Sequence, residues 1–106
     1  MVHQVILAKL KPDLSEDTVE KVMVEARIRL LKIPEIRNLS CGKKIDAKNN
    51  PHDFFIAMDF ENLSKMRVAA DSPIYHQFIT QIFEPFVLKQ TSYEFEMEPG
   101  KDVKYS

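Results

Sequence analysis

DFFIAMDFE, residues 53–61, decides how the rest of the chain is read. Phe54, Ile56, Met58 and Phe60 alternate with Phe55, Ala57 and Asp59, which is the period-2 pattern of a strand. Large apolar side chains nevertheless fall on both of its faces. A strand with one wet side alternates apolar with polar, so this pattern predicts cover on both sides. VHQVILAKLK, residues 2–11, repeats the feature and closes at Pro12, where a ladder donor would be lost.

Outward from these two strands the punctuation is clear. Ser15 is a good N-cap, with acidic Glu16 and Asp17 in the first turn, and Val19, Val22, Met23, Ala26, Leu30 and Ile33 follow at helical spacing. Pro34 ends that helix by pushing the preceding residue toward extended geometry. IRNLSCGKKI, residues 36–45, predicts a weaker strand in which Gly42 marks a bulge or a close backbone approach. DAKNNPHD then reads as a loop. Asn62 can cap a second helix over LSKMRVAA, which breaks near Asp71 and Ser72 and restarts with Pro73 at a first helical position. TSYEFEM, residues 91–97, predicts the last strand, alternating Tyr93, Phe95 and Met97 with Glu94 and Glu96. Residues 1–98 thus form one domain, and 99–106, PGKDVKYS, a polar tail.

The order β-α-β-β-α-β predicts an α+β, ferredoxin-like fold: two helices on one face of a four-stranded antiparallel sheet. Two helices dry one face only. A second copy of the sheet is the simplest cover for the other, so the pattern predicts a homodimer joined through sheet faces, burying on the order of 1,000 Å² or more. The first helix carries a second apolar stripe, Val24, Ile28 and Leu31, opposite its core side. It calls for cover by the C-terminal tail, by a partner's terminal segment or by a further contact.

Composition narrows the partners. In 106 residues, 15 Lys and Arg nearly balance 16 Asp and Glu, which argues against a nucleic-acid partner or an anionic membrane surface. Cys41 is the only cysteine, so one chain can form neither an internal disulfide nor an all-cysteine metal site, and a reducing cytoplasm suits it. No apolar run reaches the roughly 18 residues of a membrane span, and MVHQVILAKLK lacks the cleavage region of a signal peptide. The expectation is a complete, cytoplasmic chain.

With its elements placed, the chain resembles the stress-responsive dimeric α/β barrel (Dabb) family over roughly residues 2–97. The resemblance rests on His3 at the head of HQVILAKLK, on KPDLSEDTVE leading into the first helix, on IPEI with strand two and Gly42 after it, on DFFIAMDFEN and on SPIYHQF. It implies two chains packed sheet against sheet into a dimeric barrel. Many members of that family have no assigned activity, and its plant polyketide cyclase works without a cofactor. The cyclase-type site has a histidine on strand one, a histidine opening strand three, and a tyrosine and a histidine on the second helical region. His3 matches the first. The other positions fall on Phe54, Ala69 and Tyr75, with His76 one place later.

A one-residue offset turns a helical side chain by 100 degrees, so Tyr75 and His76 face different ways. Projecting 73–86 at helical pitch gives an apolar arc of Ile74, Tyr75, Phe78, Ile79, Ile82, Phe83 and Phe86, centred on Tyr75 and Ile82. Tyr75 is expected to face the sheet and His76 the water. A tyrosine is a poor base at neutral pH but an adequate donor to a carbonyl.

The residues leave two roles for Tyr75, a core ring whose hydroxyl finds a backbone partner or a ligand contact. They leave two for His3, a strand-end histidine held by a hydrogen bond or a pocket base within reach of Tyr75. His52 sits in a loop, and three scattered histidines predict no metal site. Cys41 reads as a small buried filler, and Glu94, Glu96 and Glu98 as a solvated strand face or a charged edge. Two function classes follow. One is a Dabb-type protein of unassigned activity, homodimeric, either a non-enzymatic stress or structural protein with a packed interior or a binder in which His3 and Tyr75 touch a small apolar ligand. The other is a cofactor-free enzyme of the polyketide-cyclase or antibiotic-biosynthesis-monooxygenase type acting on an apolar or aromatic substrate.

Overall fold

The computed structural model describes residues 1–45 and 48–98. The expected tail, 99–106, lies outside the described residues. Four strands and three α-helices follow one another as β1 (Val2–Leu10), α1 (Glu16–Leu30), β2 (Arg37–Lys43), β3 (Phe54–Phe60), α2 (Leu63–Ala70), α3 (Pro73–Phe78) and β4 (Val87–Glu96). The strands form one antiparallel sheet in the order β2-β3-β1-β4, and the helices share one of its faces. This is the expected ferredoxin-like arrangement.

Each helix begins where its capping residue stands. Ser15 Oγ accepts from the Thr18 N–H at 3.1 Å, and Asn62 Oδ1 from the Lys65 N–H at 2.9 Å. Ser72 Oγ accepts from the Ile74 N–H, with Pro73 in the first turn. α1 buries Val22, Ala26 and Leu30. They meet Val2, Ile6, Ala8 and Leu10 of β1 and Phe54, Ile56, Met58 and Phe60 of β3, which are the even-numbered faces of both strands. Excluding each such side chain from water is worth roughly 1.5–3 kcal/mol.

Three details differ from the periodic reading. The chain from Pro73 is not one regular helix. Ile79–Phe83 is a π-helical turn, closed by the Glu84 N–H on the Ile79 carbonyl at 2.8 Å. The wider turn inserts one residue, so Phe78 and Phe83 become fully buried while Ile82, expected at the centre of the arc, is only half-buried. The β2 bulge lies not at Gly42 but between Arg37 and Ser40, with Asn38 in the left-handed region at φ 52°. Gly42 is the close approach: an added Cβ would run into the Phe55 ring at Cε1, with Cζ 3.1 Å away. Finally, β4 starts at Val87 rather than at Thr91.

Among the described residues no helix lies over the odd-numbered face of the sheet. His3, Val5 and Leu7 stand there beside Phe55, Ala57 and Asp59 of β3 on one side and Thr91, Tyr93 and Phe95 of β4 on the other. Tyr93 and Phe95 are 51% and 56% exposed. The second stripe of α1 is exposed too, at Val24, Ile28 and Leu31. Among the described residues no helix is long and apolar enough to cross a membrane.

Candidate functional site

His3 lies directly opposite Asp59 across the β1–β3 ladder. Its Nδ1 is 2.6 Å from Asp59 Oδ1, and the other carboxylate oxygen, Oδ2, accepts from Asn38 Nδ2 at 2.9 Å. Facing a carboxylate, which accepts when ionised, Nδ1 would be the donor of this pair and Nε2 the ring nitrogen turned away from it. The Asp59 side chain is 11% exposed and the imidazole 34%. The bulge explains how Asn38 arrives. By setting Asn38 in left-handed geometry, at about 1 kcal/mol for a residue with a Cβ, it turns the amide onto Asp59.

Tyr75 occupies the other side of the sheet. It packs against the helix-side core, as the helical projection predicted, and His76 is exposed. Burial pushes the Tyr75 hydroxyl above its ordinary 10, and the Glu94 carboxylate pushes the same way. The hydroxyl therefore stays protonated at physiological pH and acts as a donor. Glu94 pairs with Gln4 across the β1–β4 ladder, and the Gln4 amide donates from Nε2 to Ser92 Oγ at 3.2 Å. The helix-side positions of β4, Gln90, Ser92, Glu94 and Glu96, are all exposed because the helix layer stops short of this edge strand. Tyr75, Gln4, Ser92 and Glu94 thus all lie on the helix side of the sheet.

The expectation of one pocket touching both His3 and Tyr75 is corrected by this placement. Odd and even residues of β1 point to opposite faces, and the sheet itself stands between the two rings. Two surface clefts lie elsewhere. One of about 590 Å³ adjoins Lys9, Lys11, Leu14 and Leu88, and one of about 560 Å³ adjoins Met1, Leu63 and Phe95; neither is lined by His3 or Tyr75.

The remaining candidates fall into place by burial. Phe54 is core, edge-on to Phe83 with ring centroids 5.9 Å apart, and Ala69 is buried. Neither of these two cyclase-type positions can move a proton here. Cys41 is half-buried against the core, and its thiol is held above the ordinary range by burial, against a smaller opposing effect of Arg27. It fills space as a thiol. Among the described residues no group of three His, Cys, Asp or Glu side chains could hold a metal ion.

Asp59, Asn38, Gln4 and Glu94 were not among the candidates read from the sequence. One signal pointed to Asp59, a lone acid on the second apolar face of DFFIAMDFE. Asn38 carried none, because only the bulge brings it to β3.

The order of elements, the four-stranded sheet and the bare second face define a class of protein with a sheet backed by helices on one side only. The sequence pattern of the stress responsive A/B barrel domain matches residues 2–97, and the chain belongs to that family. Among curated proteins no sequence matches it. Among solved structures, a Dabb-family protein with a ferredoxin-like fold from Mesorhizobium loti aligns with a TM-score of 0.81 at 16% identity, covering 92% of this chain and 96% of its own. A dimeric ferredoxin-like protein of unknown function from Thermobifida fusca aligns with a TM-score of 0.81 at 22% identity, over 91% and 90%. A hydroxynitrile lyase from Passiflora edulis aligns with a TM-score of 0.79 at 13% identity, over 95% and 96%. At these identities the likeness is one of fold.

Proposed function

We propose that the protein works in the cytoplasm as a homodimer closed sheet to sheet, and that each subunit binds a small apolar or aromatic molecule beside Tyr75, on the helix side of the sheet. The observation that carries the dimer is the bare face of Val5, Leu7, Phe55, Ala57, Tyr93 and Phe95, covered by no described element of its own chain. Such a contiguous patch is costly to leave in water, and a twin sheet would offer it an equally apolar cover. The similar protein from Thermobifida fusca is dimeric, which supports the same reading.

The ligand reading rests on Tyr75, a desolvated donor on the same side of the sheet as the exposed positions of β4. A carbonyl or other neutral acceptor on an apolar body fits it. The Glu94 carboxylate alongside disfavours an anionic head. A second reading, a cofactor-free enzyme, draws on the same hydroxyl, because a donor held on a carbonyl also polarises it.

Titration with 2-acetonaphthone, followed by backbone NMR shifts, tests the ligand site. Shifts confined to Tyr75, Gln4, Ser92 and Glu94 are expected, with Tyr75→Phe weakening affinity roughly two- to tenfold, the worth of one neutral hydrogen bond. Saturable shifts elsewhere, or affinity unchanged in Tyr75→Phe, would remove Tyr75 from the function.

A further inference from the structure

We propose that the cleft at the end of the sheet where β1 and β2 stop and β4 begins binds an amphipathic monoanion, a single carboxylate on an apolar chain or ring. The site is separate from Tyr75, and it needs neither a ligand there nor the dimer. None of Val5, Leu7, Phe55, Ala57, Tyr93 and Phe95, the side chains given to the twin sheet, lines this cleft.

The cleft lies at an irregularity in the ladder. From Val2 to Lys9 the residues of β1 pair one for one with β4, but Leu10 pairs with Val87, so Leu88 has no partner on β1. A bulge of this kind re-aims a side chain. Leu88 is 58% exposed, and it lines the cleft with Leu10, Leu14 and Val19. Leu10 belongs to the core, and Leu14 and Val19 pack against that core from the β1–α1 connection and the start of α1. The volume of about 590 Å³ is that of a site for a small organic molecule. Aliphatic walls favour an apolar body by the area it removes from water.

Charge decides the other half of the ligand. Four lysines line the cleft, Lys9, Lys11, Lys43 and Lys44. Two of them are committed: Lys43 is paired with Glu20, and Lys44 with Asp53 at 2.8 Å. Lys9 and Lys11 are exposed, and their ammonium groups make no hydrogen bond or ion pair with a described residue. Lys9 acts on Asp53 only through its charge, the smallest of the effects on that carboxyl. Directly opposite Lys9 on β4 stands another unpaired cation, Lys89. Like charges so placed weaken a sheet, and nothing in the packing repays this pair.

The acids left in the lining are Asp13 and Glu16. Three unpaired lysines against two carboxylates leave a surplus of one positive charge, which one further carboxylate balances. A head group held by Lys9 and Lys11 supplies it and shields Lys9 from Lys89, while the apolar tail covers Leu88. An amine of the same shape meets the surplus with its own charge.

The test titrates the intact protein with sodium octanoate, followed by backbone NMR shifts, with acetate and octylammonium as controls. Octanoate is expected to give saturable shifts grouped at residues 10–14, Val19 and Leu88. Acetate and octylammonium are expected to bind at least roughly tenfold more weakly, the one lacking the apolar body and the other repelled by the lysines. Lys9→Gln combined with Lys11→Gln removes two exposed charges and is expected to lower octanoate affinity at least roughly fivefold. Leu88→Asn, also at an exposed position, is expected to lower it by a similar factor. Added salt should weaken octanoate binding in wild type and much less in the double variant. Lys65→Gln, which removes a lysine from α2, is expected to change nothing.

A response to octanoate no stronger than that to octylammonium, shifts centred away from the cleft, or affinity unchanged in the double variant would each overturn the proposal. The 2-acetonaphthone titration reports on Tyr75 independently, so the two readings fail separately.

Discussion

Gly42 of β2 and Phe55 of β3 are ladder partners, and the phenyl ring sits where a Cβ would stand. Gly42→Ala forces that ring to swing over the exposed face, so it should lower unfolding stability by roughly 1–3 kcal/mol, measured by urea denaturation. Asp53 is bound more tightly than its place at a loop end suggests. Burial alone would raise its carboxyl, but the hydrogen bonds from Lys44 and from the Leu10 N–H at 2.7 Å, with the charges of Lys44 and Lys9, hold it below its ordinary 3.8. A carboxyl depressed in the folded state stabilises above its unfolded pKa and loses that contribution as pH falls through the folded one. The stability gap between wild type and Asp53→Asn should therefore be full at pH 7 and shrink below about pH 4 in denaturant titrations. Residue-scale chemistry was partly legible: the inward turn of Tyr75 and the outward turn of His76 follow from helical projection. The tie of His3 to Asp59 was not, because it depends on the β1–β3 register.

At the scale of elements, the caps were the most readable feature. Ser15, Asn62 and Ser72 each accept a hydrogen bond from the first turn of the helix they precede. Ser15→Ala and Asn62→Ala should each lower stability by about 1 kcal/mol in thermal unfolding, with Ser15→Asp restoring most of the loss at its site. The π-helical turn at Ile79–Phe83 was illegible, because ITQIF carries no proline or glycine to mark it. Tertiary packing decides it: the extra residue lets both Phe78 and Phe83 reach the core, where their rings tilt against each other with centroids 5.7 Å apart. The Asn38 bulge escaped for a like reason, since the glycine four residues on was the more obvious irregularity. β4 began early because LKQ, polar by composition, lies along an edge strand where the helices do not reach.

For the molecule as a whole, the alternation in DFFIAMDFE and HQVILAKLK already implied two covered faces, and the described residues supply a cover for one of them. The fold could be read because strand periodicity and helix capping are local. The site could not, because one sheet separates residues that a linear motif sets side by side. If the bare face is an interface, Val5→Asp on the central strand should split the dimer while leaving the fold intact, seen as an unchanged far-ultraviolet circular dichroism spectrum and a halved mass. The most direct measurement is sedimentation velocity of the wild-type protein at micromolar concentration. A species of twice the 12.3 kDa chain mass is predicted; a species of 12.3 kDa, with Tyr93 and Phe95 open to water, would contradict the account.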